Sequence, residues 1–232
     1  MDGGAFTTAF HLIVSLDPTL GGIVALSLRV TLTAVLVSCL IGLPVGAALA
    51  MGRFPGRSFV VVFFNALMGL PPVVAGLVVY LMLSRSGPLG DLGLLFTPTA
   101  MIVAQTALIL PIVVSLTRQV VEDLWKEYEE QLRSLGATSM RAIPTLLWDG
   151  RFSLLTAVLA GFGRASAEVG AVLIVGGNIA GHTRTMTTAI ALETARGDLA
   201  LALGLGIILL AITLVLNAGA FFTGRLAQRA SG

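Results

Sequence analysis

Two charged residues stand four positions apart in the apolar segment GRASAEVGAVLIVGGN (163–178). If this segment is one helix, Arg164 and Glu168 share a face and can form an ion pair. A charge near the bilayer centre is costly, and such residues usually face the bundle interior or a transport route. The pair therefore predicts either a structural ion pair between helices or part of an anion pathway. In a pathway, Arg164 would attract the anion and Glu168 would prevent tight retention.

Prolines in apolar segments form a second group of candidate pathway residues. Proline lacks an N–H and leaves the carbonyl four residues earlier without its helical partner. Pro71 and Pro72 are adjacent, and they would free the carbonyls of Leu67 and Met68 near mid-membrane. Lipid cannot satisfy such groups, so this kink should face other helices or a watery cavity. Single prolines, at positions 44 and 111, fit a kink needed only for packing equally well.

The composition excludes a water-soluble globule. The chain has 232 residues, of which 56% are hydrophobic and 11% are charged, whereas soluble domains carry about 25% charged residues. Five segments are long and apolar enough to span a bilayer: Gly22–Met51, Ser58–Ser84, Pro98–Thr117, Phe152–Val175 and Leu199–Phe222. Residues 1–21 are predicted to form an interfacial segment, because the apolar run Ala5–Leu16 is too short to span, and residues 22–232 a transmembrane domain.

The distribution of basic residues predicts the orientation. Nine of the fourteen Lys and Arg residues fall in the turn 52–57, the loop 118–151 and the C-terminal tail, against three in the loops on the opposite side. The loop 118–151 is therefore expected in the cytoplasm, and the N-terminus and the loop 176–198 outside. Arg29 and Arg164 are the two arginines within predicted spans. Arg29 is the weaker pathway candidate, because it can simply extend its guanidinium toward the interface.

The long cytoplasmic loop has its own helical pattern. Apolar residues recur at helical spacing from Val121 to Leu135, while charged residues fill the other face. Gly136 is a natural C-terminal cap, and a second short helix is expected from Thr138 to Leu147. Six of the twelve acidic residues lie between Glu122 and Asp149, which fits a solvated face. A helix–Gly–helix hairpin of this length also offers a docking surface.

The segment EEQLRSLGATSMRAIPTLL (129–147) resembles the EAA loop of ABC importer permeases, a coupling helix that docks on an ATPase subunit. Glu130 matches the glutamate of that motif and Gly136 its glycine, while Gln131 and Leu132 replace the two alanines. The resemblance implies ATPase-coupling roles for Glu130, Gly136, Ala137 and Arg141. The sole lysine, Lys126, follows Trp125 rather than glycine, so the chain has no P-loop. ATP and Mg²⁺ are therefore expected on the partner ATPase, and no cofactor on this chain.

A second resemblance covers FGRASAEVGAVLIVGGNIAGHTRTMTTAIALETARGD (162–198) and residues 67–105. Both segments are similar to permeases for tetrahedral oxyanions, and the tungstate branch matches better than those for molybdate or sulfate. This implies a pathway or gate that includes Arg164, Glu168, Pro71, Pro72 and Asn178. His182 and Arg184 are implied to lie in the outer loop, although His182 also fits an ordinary solvated histidine.

Together, the resemblances imply an all-α membrane protein with the type I ABC importer fold and about five transmembrane helices. They also imply ABC ATPase subunits, an extracytoplasmic oxyanion-binding protein and a second copy of this chain as partners, in the bacterial or archaeal inner membrane. No nucleic-acid partner is expected. A secondary transporter is an alternative, but it usually shows paired repeats. An intramembrane hydrolase is a remoter one, because the chain has two histidines and neither an H-E-x-x-H nor a G-x-S-x-G motif.

Overall fold

The computed structural model describes residues 18–230 together with Gly4 and Thr7. The helices of this part of the chain are α1 (Pro18–Met51), α2 (Arg57–Leu67), α3 (Pro72–Leu83), a short 3₁₀ turn (Gly90–Leu92), α4 (Pro98–Ser134), α5 (Ser139–Asp149), α6 (Arg151–Ser166), α7 (Gly170–Gly176), α8 (Met186–Arg196) and α9 (Leu199–Ala230). The predicted interfacial run Ala5–Leu16 lies outside the described residues apart from Thr7.

Three helices are long and apolar enough to cross a membrane, namely α1, α4 and the Leu199–Gly219 part of α9. Two interrupted pairs, α2 with α3 and α6 with α7, raise the number to five if each pair is counted as one span. The predicted all-α architecture with about five spans is therefore confirmed for residues 18–230.

The kink predicted at Pro71–Pro72 within the span Ser58–Ser84 is a full break between two helices in the structure. Helix α2 ends at Leu67, and Pro71 adopts an extended conformation with Pro72 as the first residue of α3. The residue before a proline is disfavoured in the helical region, while proline itself suits the first position of a helix. The predicted free carbonyl of Leu67 instead accepts a hydrogen bond from the Leu70 N–H at 3.0 Å. The proline pair thus starts a new helix rather than bending an existing one.

The predicted span Phe152–Val175 is also broken in the structure. Helix α6 ends at Ser166, and three residues without helical structure precede α7 at Gly170. Conversely, Pro98–Thr117 and the amphipathic helix after it form one helix, α4, of 37 residues. At a rise of 1.5 Å per residue, α4 is about 55 Å long, so it extends well beyond a hydrocarbon core of about 30 Å. Pro44 and Pro111 lie within uninterrupted helices.

The described chain divides into two compact units. The first unit comprises Met1–Thr33, Pro71–Gln105 and Ala165–Gly232, of which the N-terminal residues are described only in part. Its core joins the start of α1 to α8 and α9 through Leu20, Ile23, Met186, Ala189 and Leu205. Helices α3 and α7 pack closely, because a Cβ atom at Gly76 would lie 2.6 Å from the Ala171 Cα.

The second unit comprises Ala34–Leu70 and Thr106–Arg164. Its core lies at the predicted cytoplasmic end and contains Ala47, Met51, Val121, Ala142 and Leu146. Gly42 and Gly46 let α1 approach α4, since a Cβ atom at Gly46 would lie 2.6 Å from the Val114 carbonyl oxygen. Small residues four apart commonly permit this kind of close helix contact in membranes.

Candidate coupling surface and translocation segment

The turn between α4 and α5 has the geometry of a Schellman cap. Gly136 has φ of +78°, the left-handed conformation that glycine adopts without steric cost. The Ala137 N–H donates to the Leu132 carbonyl at 2.9 Å, and the Gly136 N–H donates to the Arg133 carbonyl at 2.9 Å. These two bonds satisfy carbonyls that the end of α4 leaves free. The predicted helix end at Gly136 is thus confirmed, and Gly136 sets the direction in which α5 leaves.

One face of α5 is packed, and the packing fixes its position on α4. Ala142 and Leu146 are buried together with Val121. Gly150 follows α5, and a Cβ atom there would lie 2.8 Å from the Leu124 side chain. The short helix predicted for Thr138–Leu147 therefore exists as α5 and is held by apolar contacts to α4.

Large apolar side chains are exposed on the opposite face of α5 and in the turn that precedes it. Leu135 is 82% exposed, Met140 55% and Trp148 72%. Among the predicted coupling residues, Glu130, Gly136 and Arg141 are exposed and Ala137 is half-buried. These positions belong to a segment far more charged than the spans, so lipid does not account for their exposure. Exposed large apolar side chains outside the spans are typical of a surface that binds a protein partner.

Trp148 is supported from within the second unit. The Arg151 guanidinium lies 4.9 Å from the centroid of the Trp148 ring, within the range of a cation–π contact. Its Nη1 also donates to the Trp148 carbonyl at 2.7 Å. Arg151 therefore holds the indole in place although the ring remains exposed.

An ion-pair cluster that joins the start of α2 to α4 was not predicted from the sequence. Glu122 accepts from Arg57 at Oε1 and from Arg118 at Oε2, the latter at 2.6 Å. Arg57 also donates from Nε to the Leu49 carbonyl at 2.9 Å, near the end of α1. The spacing of Arg118 and Glu122 is a recognisable helical pair. The participation of Arg57 depends on a long-range contact that no local pattern signals.

The phenol of Tyr128 lies near acidic side chains on both helices of the hairpin. The Glu127 carboxylate, with a smaller contribution from Asp149, raises the pKa of Tyr128 above its ordinary value. A phenol is neutral at physiological pH even at its ordinary pKa, and the raised pKa extends this neutrality of Tyr128 to more alkaline solution.

Arg164 lies near the end of α6 and is partly buried. Its Nη2 donates to the carbonyl oxygen of Leu70 at 3.2 Å, at the break that precedes Pro71. Its Nε is buried without a hydrogen-bond partner among the described residues. A guanidinium carries five donors, so Arg164 retains donor capacity beyond this contact.

Glu168 lies between α6 and α7 and is only 4% exposed. Its Oε1 accepts from the Ala171 N–H at 2.8 Å, in the first turn of α7. The Glu168 backbone carbonyl accepts from Thr187 Oγ1 at 2.7 Å, which ties the segment to α8. Just before it, the Ala165 carbonyl accepts from Gln105 Nε2 at 3.2 Å. Both the side chain and the main chain of this break are therefore held by specific hydrogen bonds.

The predicted i,i+4 pair of Arg164 and Glu168 is thus wrong in its geometry. The helix ends at Ser166, so the two residues do not occupy one helix face. Each has a partner of its own, the Leu70 carbonyl for Arg164 and the Ala171 N–H for Glu168. The rule for helical spacing failed here because it assumes an unbroken helix, and no proline or polar turn sequence marks the break at residues 167–169.

Asn178 occupies a tight turn after α7. It has φ of +51°, a conformation that asparagine tolerates better than most residues. Its Nδ2 donates to the Thr188 carbonyl at 3.4 Å, while its buried Oδ1 has no partner among the described residues. Thr183 closes the turn by donating from Oγ1 to the Gly176 carbonyl at 2.5 Å. The turn is therefore built by hydrogen bonds to α7 and α8.

The outer-loop residues differ in their surroundings. His182 is exposed. Arg184 lies 3.7 Å from Glu193, a buried acid that Arg196 also contacts at 3.3 Å. Glu193 was not among the predicted site residues, and its position on α8 three residues before Arg196 gave only a weak local signal.

The sequence matches a known protein family. The family model "binding-protein-dependent transport system inner membrane component" matches residues 42–230. The chain belongs to this family. The match includes the whole coupling segment and the Arg164–Asn178 segment, so the resemblance to importer permeases is confirmed, as is the inner-membrane location. A permease of this family works with a binding protein and an ATPase.

Three relatives indicate the kind of permease. A probable anion ABC transporter permease protein of Haloferax volcanii is 45% identical over 88% of this chain and 90% of its own length. The tungstate uptake system permease protein TupB of Peptoclostridium acidaminophilum is 40% identical over 92% of this permease and 93% of its own length. The sulfate transport system permease protein CysW of Synechocystis sp. is 30% identical over 82% and 71%, respectively.

Proposed function

We propose that this chain is the membrane-spanning permease of an ATP-driven importer that moves tungstate into the cytoplasm by alternating access. The observation that carries the proposal is the 40% identity to a tungstate uptake permease over 92% of the chain. The sulfate permeases match at lower identity and over less of the chain, which favours tungstate over sulfate. Molybdate or sulfate remains the alternative that the experiment below tests.

The ATPase partner docks on the exposed face of α5 and on the turn before it. Leu135, Met140 and Trp148 supply the apolar contact, and Glu130 and Arg141 supply charges of both signs beside it. Buried apolar anchors surrounded by polar groups are typical of protein interfaces. The ATP, the Mg²⁺ and the hydrolysis belong to that partner, because a P-loop needs a lysine directly after a glycine and Lys126 follows Trp125.

Two copies of the chain form the pore. Each copy contributes one coupling surface, and an ABC machine has two ATPase subunits, so a two-fold pair gives each ATPase one α5. The exposed apolar residues of α2 and α9, such as Phe59 and Leu210, face either the lipid or the second copy. An extracytoplasmic binding protein delivers the oxyanion to the outer loops.

Arg164 is the charge best placed to act on the anion. It is partly buried, keeps unused donors and adjoins the main-chain break before Pro71. Its guanidinium attracts the divalent oxyanion, and the interrupted helices allow the backbone to rearrange between inward- and outward-facing states. Tight binding here would prevent release, so selection among oxyanions rests mainly with the binding protein.

The test is tungsten accumulation in cells with and without the gene. The medium contains nanomolar tungstate, with or without a large excess of molybdate or of sulfate. Gene-dependent uptake that resists both competitors is the expected result. Uptake abolished by either competitor assigns the permease to that oxyanion instead. Uptake that survives ATP depletion while an ion gradient remains would indicate a secondary transporter.

A further inference from the structure

An open cavity of about 370 Å³ lies at the predicted cytoplasmic end of the second unit. Its lining residues come from the end of α1, the following turn, the start of α2, α4 and the start of α5: Ala50, Met51, Gly52, Arg53, Arg57, Glu122, Trp125, Lys126 and Ser139. A water molecule takes up about 30 Å³ in the liquid, so the cavity has room for a phosphate group and several waters. We call it the inner basic cavity.

The lining is cationic. Arg53, Arg57 and Lys126 line the cavity with a single acid, Glu122. Both carboxylate oxygens of Glu122 are already engaged, one by Arg57 and the other by Arg118. Glu122 therefore neutralises Arg57 and Arg118, which it binds. It does not neutralise the positive charges of Arg53 and Lys126.

The two remaining cations are available to a ligand. Arg53 is exposed and makes no ion pair or side-chain hydrogen bond within residues 18–230. Lys126 contacts Asp123 at 3.2 Å, but both side chains are largely exposed, at 74% and 65%. Exposed pairs of this kind hold weakly, so the ammonium can turn to an anion in the cavity. Ser139 adds a hydroxyl donor.

The position of the cavity identifies the source of the anion. It lies where the apolar helix α1 ends, beside Phe54, which is 45% exposed, and close to Phe59, which is 75% exposed. Exposed apolar rings beside arginines fit the boundary between lipid and water, where long basic side chains at helix ends extend toward the headgroups. The basic bias of the turn 52–57 places this end on the cytoplasmic side, where anionic lipids attract clustered Lys and Arg residues.

We propose that the inner basic cavity binds a phosphate group and that this group is the headgroup of an anionic phospholipid. Arg53 and Lys126 contact the phosphate oxygens, and Ser139 donates to one of them. The apolar exterior of α1 and α2 accommodates the acyl chains. Free inorganic phosphate offers the same chemistry without the chains, and the experiment separates the two sources.

The experiment measures lipid retention by the purified full-length chain with native mass spectrometry. The probe is phosphatidylglycerol, compared with phosphatidylcholine, which has the same phosphate but no net charge. The test variant is Arg53→Gln with Lys126→Gln, and the control is Arg85→Gln, an exposed arginine just after α3, on the predicted outer side. Each cation near an anionic surface contributes about fivefold, so the double variant should retain phosphatidylglycerol about twenty-five-fold less well. Because both side chains are exposed, the thermal midpoint of the variant should equal that of the wild type.

Two further arms complete the test. Adding 10 mM inorganic phosphate should leave retention unchanged, as the acyl chains add to the affinity; full displacement would support the phosphate site but assign it to the free anion. Adding the ATPase partner should also leave the lipid bound. Displacement of the lipid by the ATPase would show that the cavity is part of the ATPase interface, and it would overturn the lipid assignment. Equal retention of phosphatidylglycerol by the double variant, the control and the wild type would overturn the site itself.

Discussion

Arg164 donates from Nη2 to the carbonyl oxygen of Leu70, 3.2 Å away, and Leu70 immediately precedes Pro71. The carbonyl lies at a helix break, where no N–H of a continuing helix is available to it. A cationic donor is a strong partner for such a group. Arg164 therefore does two things at once: it satisfies the main chain at the break, and it places a positive charge in an apolar segment.

Replacing Arg164 by alanine should abolish tungstate uptake. The change removes the cation and leaves the Leu70 carbonyl without its donor, a loss of about 1.5–3 kcal/mol for a charged hydrogen bond. Arg164→Lys keeps the charge on a single ammonium and should retain part of the uptake. Arg29→Ala, an exposed arginine in α1, is the matched control. Wild-type uptake by Arg164→Ala would remove Arg164 from the pathway.

Glu168→Gln and Glu168→Ala should separate a capping role from a role of the charge. Glutamine keeps an oxygen that can accept from the Ala171 N–H, whereas alanine does not. We expect Glu168→Gln to transport close to wild type, and Glu168→Ala to lose about 1 kcal/mol of unfolding free energy, as lost helix caps do. Thermal unfolding of the detergent-solubilised protein and tungsten uptake are the two measurements. Loss of uptake in both variants, with normal stability, would show instead that the negative charge itself is needed.

Glu130→Ala should uncouple the permease without unfolding it. The side chain is exposed, and its loss costs the fold little. We expect uptake and binding-protein-stimulated ATP hydrolysis by the assembled complex to fall sharply, while membrane levels stay normal. Asp123→Ala removes an equally exposed carboxylate two turns earlier on α4 and should behave as wild type. Normal uptake by Glu130→Ala would contradict the coupling assignment.

Gly136→Ala should weaken the hairpin through backbone strain alone. No atom lies within 4 Å of where the new Cβ would be, so the cost arises from the φ of +78°. A left-handed non-glycine residue costs about 1–2 kcal/mol, and the change in direction of α5 should lower ATPase binding. Gly206→Ala in α9 also meets open space but at an ordinary φ, so it should be neutral or stabilising. If both variants bind the ATPase equally, the direction of α5 does not depend on this turn.

Glu122→Gln should destabilise the second unit. Arg57 and Arg118 would then face each other without the shared carboxylate that now accepts from both. Since Glu122 is 23% exposed, solvent screens part of the effect, and we expect a loss of about 1–2 kcal/mol. The neighbouring Asp123→Asn, which affects only a surface pair, should change the unfolding midpoint little. An unchanged unfolding midpoint in Glu122→Gln would show that the negative charge of Glu122 does not stabilise the second unit.

The sequence alone determined those features that depend on local chemistry. Apolar runs of about twenty residues specify spans because an unpaired backbone group in lipid is prohibitively costly. The pattern from Val121 to Leu135 and the glycine at position 136 specified a helix and its end, because amphipathicity and left-handed φ are properties of neighbouring residues. The motif around Glu130 was sufficient to indicate the family that residues 42–230 match.

Only the tertiary structure decided what Arg164, Glu168 and Glu122 contact. Arg164 and Glu168 were predicted to pair because helical spacing assumes an unbroken helix, whereas the chain turns at 167–169 and gives each residue a different partner. Glu122, on α4, forms an ion pair with Arg57, at the start of α2. These partners depend on how distant segments of the chain pack. The break in the helix costs main-chain hydrogen bonds, and hydrogen bonds that form only when those segments come together compensate for the loss.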